Sequence, residues 1–206
     1  MKILIYPVGE MRANCYVLTS EGTNDCIVVD PGDEADKLLQ KLEQRSLHVT
    51  LILLTHAHFD HMMALEELRR ATGAPVAVHE ADAPAMADPK KNMMWQFAHV
   101  EKPCVPPERL LREGDEITLG SERITVMHTP GHTMGSVCYM TPAGIITGDT
   151  LFRENIGRHD FYGGNYSDLM RSLARLRDLE GDFRIYPGHG VSSALSYERE
   201  HNIYLR

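Results

Sequence analysis

Short apolar runs bounded by turn residues alternate with stretches in which apolar positions recur every three or four residues. The first pattern predicts strands and the second predicts amphipathic helices. The predicted strands are residues 3–8, 14–19, 26–30, 51–54, 75–79, 116–119, 123–128, 136–140, 144–147 and 183–186. The predicted helices are residues 34–46, 61–72, 166–179 and 194–203. The strand-helix-strand order around residues 51–79 gives a β-α-β pattern with a parallel component.

Residues 81–108 differ from the rest of the chain because they mix prolines, which break regular elements, with large apolar side chains, which favour burial. These apolar side chains are Met93, Met94, Trp95 and Phe97. Two interpretations stay open. The segment is either a long packed connection or a wall over a site, with Trp95 and the methionines facing a substrate.

The composition is ordinary for a globular protein, with 43% hydrophobic and 24% charged residues among 206. No repeat or linker interrupts it, so residues 1–206 are expected to form one domain. The net charge of −8 argues against a nucleic-acid partner. No apolar run approaches membrane-spanning length, and residues 3–6 are too few for a signal-peptide core. The four cysteines have no close spacing, which fits a reduced, cytoplasmic setting.

Four side chains that bind metals follow the apolar run at residues 51–54 within a few positions: His56, His58, Asp60 and His61. Imidazole and carboxylate groups are the ligands that divalent transition metals favour. His56 and His58 are two residues apart, so in extended backbone they point in the same direction. Asp60 and His61 lie at the turn into the predicted helix and can point elsewhere. Two ligand pairs with different directions suit two metal ions.

Three further candidates, His132, Asp149 and His189, also lie just past the ends of predicted strands, next to glycine or proline. Strand ends can converge on one rim of a sheet, where ligand sites are commonly found. Asp30 precedes Pro31 and is interpreted as a turn-forming residue, with a supporting role near a site as the alternative. The histidines without this setting are expected to be ordinary surface or packed residues: His48, His79, His99, His128, His159 and His201.

With these motifs the chain resembles the metallo-β-lactamase-fold hydrolases, and among them the single-domain proteins related to glyoxalase II (hydroxyacylglutathione hydrolase). The motifs that carry the resemblance are residues 55–61, 129–133, 148–152, 157–160 and 186–190. The resemblance covers essentially the whole chain. It implies an α/β (α+β) fold, a four-layer αββα sandwich of two mixed sheets with helices outside.

The resemblance also implies how the ligands divide between two metal ions. One ion would be held by His56, His58 and His132, and the other by Asp60, His61 and His189. Asp149 would bridge both. In these hydrolases the metals are usually zinc, with iron or manganese also found.

A metal-dependent hydrolase is therefore the expected function. Two cations about 3.5–4 Å apart lower the pKa of a shared water enough to give a bridging hydroxide near neutral pH. The resemblance points to a small-molecule acyl thioester such as S-D-lactoylglutathione, with Asp60 and Asp149 as the catalytic carboxylates. A thiolate, whose conjugate acid has a pKa of roughly 8.5 as for Cys, leaves without a strong general acid.

Arg158 is the expected substrate-binding cation, with a structural ion pair to Asp160 as its alternative. Residues 157–160 are Gly-Arg-His-Asp, where glyoxalase II has Gly-Lys-Phe-Tyr at its glutathione contact. The chain also ends before the C-terminal helical segment with which two-domain glyoxalase II holds glutathione. The carrier thiol is therefore left open.

Two other functions stay open. A persulfide dioxygenase would use a single iron held by His56, His132 and Asp149, but such enzymes typically have Pro-Ala-His where this chain has Pro-Gly-His at His189. A metal-binding protein without turnover is the second alternative. True β-lactamases lack the bridging carboxylate expected at Asp149.

Overall fold

A computed structural model of the protein describes residues 1–101 and 104–206. The first half of the chain builds a six-stranded sheet in which neighbours in sequence are neighbours in space. Its strands are β1 (Lys2–Val8), β2 (Ala13–Thr19), β3 (Asp25–Val29), β4 (His48–Leu53), β5 (Val76–His79) and β6 (Arg109–Leu111). Pairing is antiparallel from β1 to β3 and parallel from β3 to β6.

The second half builds another six-stranded sheet and a small separate hairpin. Its strands are β7 (Glu116–Leu119), β8 (Glu122–His128), β9 (Val137–Thr141), β10 (Gly144–Gly148), β11 (Leu151–Phe152), β12 (Asn155–Ile156), β13 (Arg184–Pro187) and β14 (Ser193–Ala194). The spatial order of the sheet is β14-β13-β10-β9-β8-β7, and within the described residues β11 pairs with β12 alone. The β10–β13 pair is parallel, so this sheet is also mixed.

Alternation along β2 shows how the layers are built. Tyr16 and Leu18 face the opposite sheet, whereas Cys15 and Val17 face the helices, as the two-residue period of a strand requires. The helices are α1 (Ala35–Glu43), α2 (Leu65–Thr72), α3 (Ala83–Met86), α4 (Tyr166–Arg177) and α5 (Leu195–His201). Helices α1 and α2 cover the first sheet, and α4 and α5 cover the second. The predicted αββα sandwich is confirmed.

Several predicted boundaries are wrong. Helix α2 begins at Leu65 rather than at residue 61, and a short 3₁₀ turn, Phe59–His61, takes its place. Residues 81–108 contain α3 and a π-helical turn, Met94–Ala98, while Lys102 and Pro103 lie outside the described residues. Strands β6, β11, β12 and β14 are not predicted from the sequence. Among the described helices, none combines the length and apolar character needed to span a bilayer.

The two sheets meet at one edge through side chains of β2. The Asn14 side-chain amide donates to the carbonyl of Pro187 at 2.9 Å, and the Tyr16 hydroxyl donates to the same carbonyl at 2.5 Å. The Gly188 carbonyl also accepts the Asn14 backbone N–H at 2.7 Å. The loop after β13 is thereby held against the first sheet, close to the end of β4.

Candidate metal centre

Three imidazoles converge where β4 ends and the β8–β9 loop turns. His132 Nε2 lies 3.2 Å from His56 Nε2 and 2.9 Å from His58 Nδ1, and all three rings are buried. Ligand atoms on one tetrahedral zinc with bonds of 2.0–2.1 Å lie about 3.4 Å apart. The three nitrogens therefore have the convergence that one metal ion requires, a little tighter than the ideal spacing.

A second group forms from the next turn of the chain and the loop after β13. His189 Nε2 lies 3.3 Å from His61 Nε2 and 3.1 Å from Asp60 Oδ2. The 3₁₀ turn places Asp60 and His61 away from the direction of His58, whose backbone is extended. One carboxylate oxygen and two imidazole nitrogens suit a divalent ion such as zinc.

Asp149, just past the end of β10, lies between the two groups. Its Oδ1 is 3.4 Å from His61 Nε2 and its Oδ2 is 3.6 Å from His132 Nε2, so one carboxylate faces both sets. Oδ1 is buried and has no hydrogen-bond partner among the described residues. A buried, unpartnered carboxylate oxygen beside converging imidazoles is what a cation would satisfy. The donor set present therefore fits two divalent ions.

The far nitrogens of these histidines are also held by the protein. Asp30 Oδ2 lies 2.9 Å from His61 Nδ1, the Arg158 carbonyl 2.6 Å from His132 Nδ1, and the Met11 carbonyl 3.1 Å from His189 Nδ1. An acceptor at the far nitrogen requires the proton to sit there. The near nitrogen then keeps its lone pair for a metal ion.

The turn-forming interpretation of Asp30 is incomplete. Its carboxylate is fully buried and accepts from the Thr55 backbone N–H and hydroxyl, both at 2.7 Å, as well as facing His61. Asp30 is also grouped with His56 and His61 as potential metal ligands. Because three donor groups, two from Thr55 and one from His61, already occupy its oxygens, the structure favours the supporting role that was the sequence alternative.

Sequence reasoning missed Asp82, which lies just after β5. Its Oδ2 accepts from the Ala57 N–H at 2.9 Å and from the Thr133 hydroxyl at 2.8 Å, and its Oδ1 accepts from the Gly135 N–H at 2.7 Å. One buried carboxylate thus joins the loop of His56 and His58 to the loop of His132. No local signal marks Asp82, because its partners come from two distant loops.

Burial sets the charge state of the first ligand group. It lowers the pKa of His58 to about 3 and lowers that of His56 well below its usual value, and neighbouring histidines add to both effects. Both rings are then uncharged at neutral pH, which is the form that binds metals. Burial alone would raise the pKa of Asp149, but His61 and the other histidines lower it, so the carboxylate is ionised.

Of the remaining residues considered from the sequence, some line the cavity above the ligands and others do not. Arg158 reaches the cavity above the ligands, but its guanidinium donates to both oxygens of Asp160, at 2.9 and 2.8 Å. His79 and His128 stack on each other with centroids 3.9 Å apart, as packed residues do. Trp95 is half exposed and outside that cavity, whereas Met93 and Phe97 line it. The interpretation of this segment as a wall over the site therefore holds for Met93 and Phe97, and not for Met94 or Trp95.

The family model described as the metallo-beta-lactamase superfamily matches residues 8–189. The chain belongs to the metallo-beta-lactamase superfamily. The probable metallo-hydrolase YqgX of Bacillus subtilis (strain 168) is 35% identical over 208 residues, covering 100% of this chain and 98% of that one. The hydroxyacylglutathione hydrolase GloC of Haemophilus influenzae (strain ATCC 51907 / DSM 11121 / KW20 / Rd) is 31% identical over 209 residues, with the same coverage.

Solved structures of this superfamily superpose over nearly the whole chain. The BLEG-1 B3 metallo-beta-lactamase is 32% identical with a TM-score of 0.93, covering 99% of both chains. TTHA1623, solved in a di-iron-bound form, is 35% identical with a TM-score of 0.86, covering 98% of this chain and 100% of its own. ETHE1 from Myxococcus xanthus is 30% identical with a TM-score of 0.82, covering 98% of this chain and 84% of its own. The relatives whose names state an activity differ in it, since one is a hydroxyacylglutathione hydrolase and another a metallo-beta-lactamase, so the family assignment reaches a metal-dependent enzyme and no further.

Proposed function

We propose that the protein is a metal-dependent hydrolase with two metal ions that cleaves small acyl thioesters. The observation that carries this proposal is the placement of Asp149, whose two carboxylate oxygens face the His56, His58 and His132 group and the Asp60, His61 and His189 group. The similarity to a protein named hydroxyacylglutathione hydrolase supports the thioester. We assign Asp149 and Asp60 as the catalytic carboxylates and the seven side chains as the metal ligands.

Two divalent ions held there would supply an acidified water as nucleophile and positive charge opposite the developing oxyanion. The chain's own residues prepare this chemistry. Asp60 Oδ2 and Asp149 Oδ2 lie 3.1 and 3.7 Å from His189 Nε2, so both carboxylates face the place where the attacking water would be held and would accept a hydrogen bond from it. The leaving thiolate needs no strong acid, because thiols have pKa values of roughly 8.5.

The identity of the metal is part of the proposal. Imidazole and carboxylate ligands suit zinc, iron and manganese alike, and no cysteine lies among the grouped ligands. Zinc is our first choice because four-coordinate sites rich in histidine are typical of it. The di-iron form of TTHA1623 makes iron the second choice.

A second candidate function is oxidation of a persulfide with one iron. The His-x-His-x-Asp-His motif at residues 56–61, which resembles that of persulfide dioxygenases, favours it, and His56, His132 and Asp149 would be the ligands. The second group of ligands argues against it, because Asp60, His61 and His189 are equally well assembled. The similarity to BLEG-1 adds β-lactam hydrolysis as a third reaction to test at the same site.

The deciding experiment measures metal content per chain and three activities on one sample: hydrolysis of S-D-lactoylglutathione and a second thioester, hydrolysis of a chromogenic cephalosporin, and oxygen uptake with a persulfide. About two metals with thioester turnover are expected. The variant Asp149→Asn keeps the size of the side chain and should lower metal content and reduce turnover at least about 100-fold. Asp25→Asn, a half-exposed aspartate that faces His48, is the matched control. One iron with oxygen uptake and no hydrolysis would replace the proposal with the dioxygenase.

A further inference from the structure

The two ligand groups form the floor of a cavity of about 370 Å³, a size typical of sites for small molecules. Its floor contains His58, Asp60, His132, Asp149 and His189. Its walls are mostly apolar, formed by Met11, Phe59, Met93, Phe97, Phe152, Ile156 and Phe161. Such walls hold a substrate by burial of apolar surface rather than by ion pairing.

The aromatic part of this wall is continuous from the rim to the ligands. Phe97 stacks on Phe59 with centroids 5.4 Å apart and planes at 10°, and its other neighbour, Phe161, lies 6.3 Å away at 73°. Phe161 in turn meets the ring of His58 edge-on at 5.8 Å. An acyl chain that starts at the metal ligands would run along these rings.

The charged rim offers little to an anionic substrate. Among the described residues that line the cavity, Arg158 carries the only permanent positive charge. Its guanidinium is paired with both oxygens of Asp160 and lies 4.1 Å from the centre of the Phe161 ring. Because Asp160 already neutralises the charge of Arg158, a carboxylate on a carrier thiol would gain little net attraction from it.

A second cavity, of about 340 Å³, adjoins the first and shares Met11, Phe59, Asp60 and Phe97 with it. Its other lining residues include the carboxylates of Glu10 and Asp33 and no lysine or arginine from the described chain. A thioester lying across the metal ligands would place one arm in each cavity. A thiol arm with free carboxylates would lie close to these acidic side chains, and Coulomb repulsion between the like charges would weaken its binding.

We propose that the site is selective for thioesters with an apolar acyl chain on an uncharged amide thiol, and against esters of glutathione. This inference rests on the proposed thioester hydrolysis. The acyl chain lies along Phe97 and Phe161, and the neutral thiol arm lies in the cavity beside Glu10 and Asp33.

The test compares kcat/KM for acetyl and hexanoyl esters of N-acetylcysteamine, an uncharged amide thiol, with the same two esters of glutathione. Burying the extra methylenes should favour hexanoyl over acetyl at least about tenfold on either thiol. The kcat/KM for each N-acetylcysteamine ester should be higher than that for the glutathione ester with the same acyl group. Calorimetric binding of the two S-hexyl thioethers, which cannot be hydrolysed, should show the same order of affinity without turnover.

Two variants locate the effect. Phe97→Ala should lower kcat/KM for the hexanoyl esters at least several-fold more than for the acetyl esters, and Trp95→Ala, an exposed aromatic on the same turn but outside the cavity, is its control. Asp160→Asn should free Arg158 and raise kcat/KM for glutathione esters several-fold relative to neutral esters. Asp178→Asn, which breaks the exposed pair with Arg177, is its control.

Equal or better hydrolysis of the glutathione esters, or equal rates for acetyl and hexanoyl, overturns the selectivity and leaves thioester hydrolysis standing. If a sample with two metals per chain hydrolyses none of the four esters, the proposed function itself fails.

Discussion

At the scale of single residues, Asp82 joins the two loops that carry His56, His58 and His132. Burial raises the pKa of its carboxyl, while the hydrogen bonds from Thr133, Ala57 and Gly135 lower it, and the net shift is upward. The carboxylate contacts no ligand ring through these bonds. It binds instead the backbone between His56 and His58 and the turn after His132. It thereby sets the distance between these two loops.

We expect Asp82→Asn to weaken metal binding more than its small change in shape suggests. One amide N–H would face a backbone or hydroxyl donor, which leaves a buried donor unpaired and lowers the free energy of unfolding by about 1–3 kcal/mol. Loss of ligand orientation should weaken metal affinity about 10- to 100-fold, measured by competition with a chromophoric chelator. Glu80→Gln, an exposed neighbour paired with Arg112, should change neither quantity measurably. Reduced stability with unchanged metal affinity would make Asp82 a purely structural residue.

The limits of sequence reasoning at this scale follow from distance along the chain. His56, His58, Asp60 and His61 are recognisable because residue type and spacing are local properties. The role of Asp82 depends on contacts 25 to 53 positions away, which no local pattern contains. The burial of Asp30 is hidden for a different reason, because the following Pro31 and Gly32 give the same signal as an ordinary turn.

At the scale of elements, the loop after β13 packs against Asp149 through a glycine. A side-chain carbon at Gly188 would lie 2.1 Å from Asp149 Oδ1 and 2.9 Å from His61 Cε1. The loop is fixed on both sides, because the Gly188 N–H donates to the Gly148 carbonyl and its own carbonyl accepts from Asn14, both at 2.7 Å. The backbone therefore cannot move away without breaking these bonds.

Gly188→Ala should push the Asp149 carboxylate out of the space between the ligand groups. We expect metal content to fall below two per chain and thioester turnover to fall at least about 100-fold, measured on the same sample. Gly190→Ala is the matched control in the same loop, because nothing lies within 4 Å of its added carbon. Its positive φ of 76° adds strain of about 1–2 kcal/mol, which does not act on the ligands. Two metals and full turnover in Gly188→Ala would show that this contact does not hold Asp149 in place.

The elements that sequence patterns miss are short or are shaped by distant contacts. Strands β11, β12 and β14 have two residues each, too few to show alternation. Helix α2 begins late because the preceding turn is tied to the loop after β3, where the Met63 N–H donates to Gly32 and the Ala64 N–H to Pro31. These bonds hold Asp60 and His61 in a 3₁₀ turn instead of a regular helix. Longer elements such as β2, β8 and α4 carry enough periodicity to be predicted.

At the scale of the whole molecule, the site lies on the seam between the two sheets. The loop after β4 comes from the first sheet, whereas His132, Asp149 and His189 follow strands of the second. Each half alone contributes an incomplete set of ligands. A metal ion held by both halves would therefore stabilise their packing as well as the site, because ligands that bind only the folded state shift the unfolding equilibrium.

Removing the metals should lower the melting temperature of the whole protein. At metal concentrations 100- to 1,000-fold above Kd, binding of the metal adds about 3–4 kcal/mol to the free energy of unfolding. For a chain of 206 residues this corresponds to a loss of roughly 6–16 °C after chelation, followed by calorimetry, and zinc should restore it. Asp149→Asn lacks the carboxylate that faces both groups. Its melting temperature should therefore differ less between metal-loaded and metal-free samples than that of the unaltered protein. The control is elemental analysis, which must show that the metals have been removed. If the melting temperature is then unchanged, the metals act only at the site, and packing alone stabilises the seam.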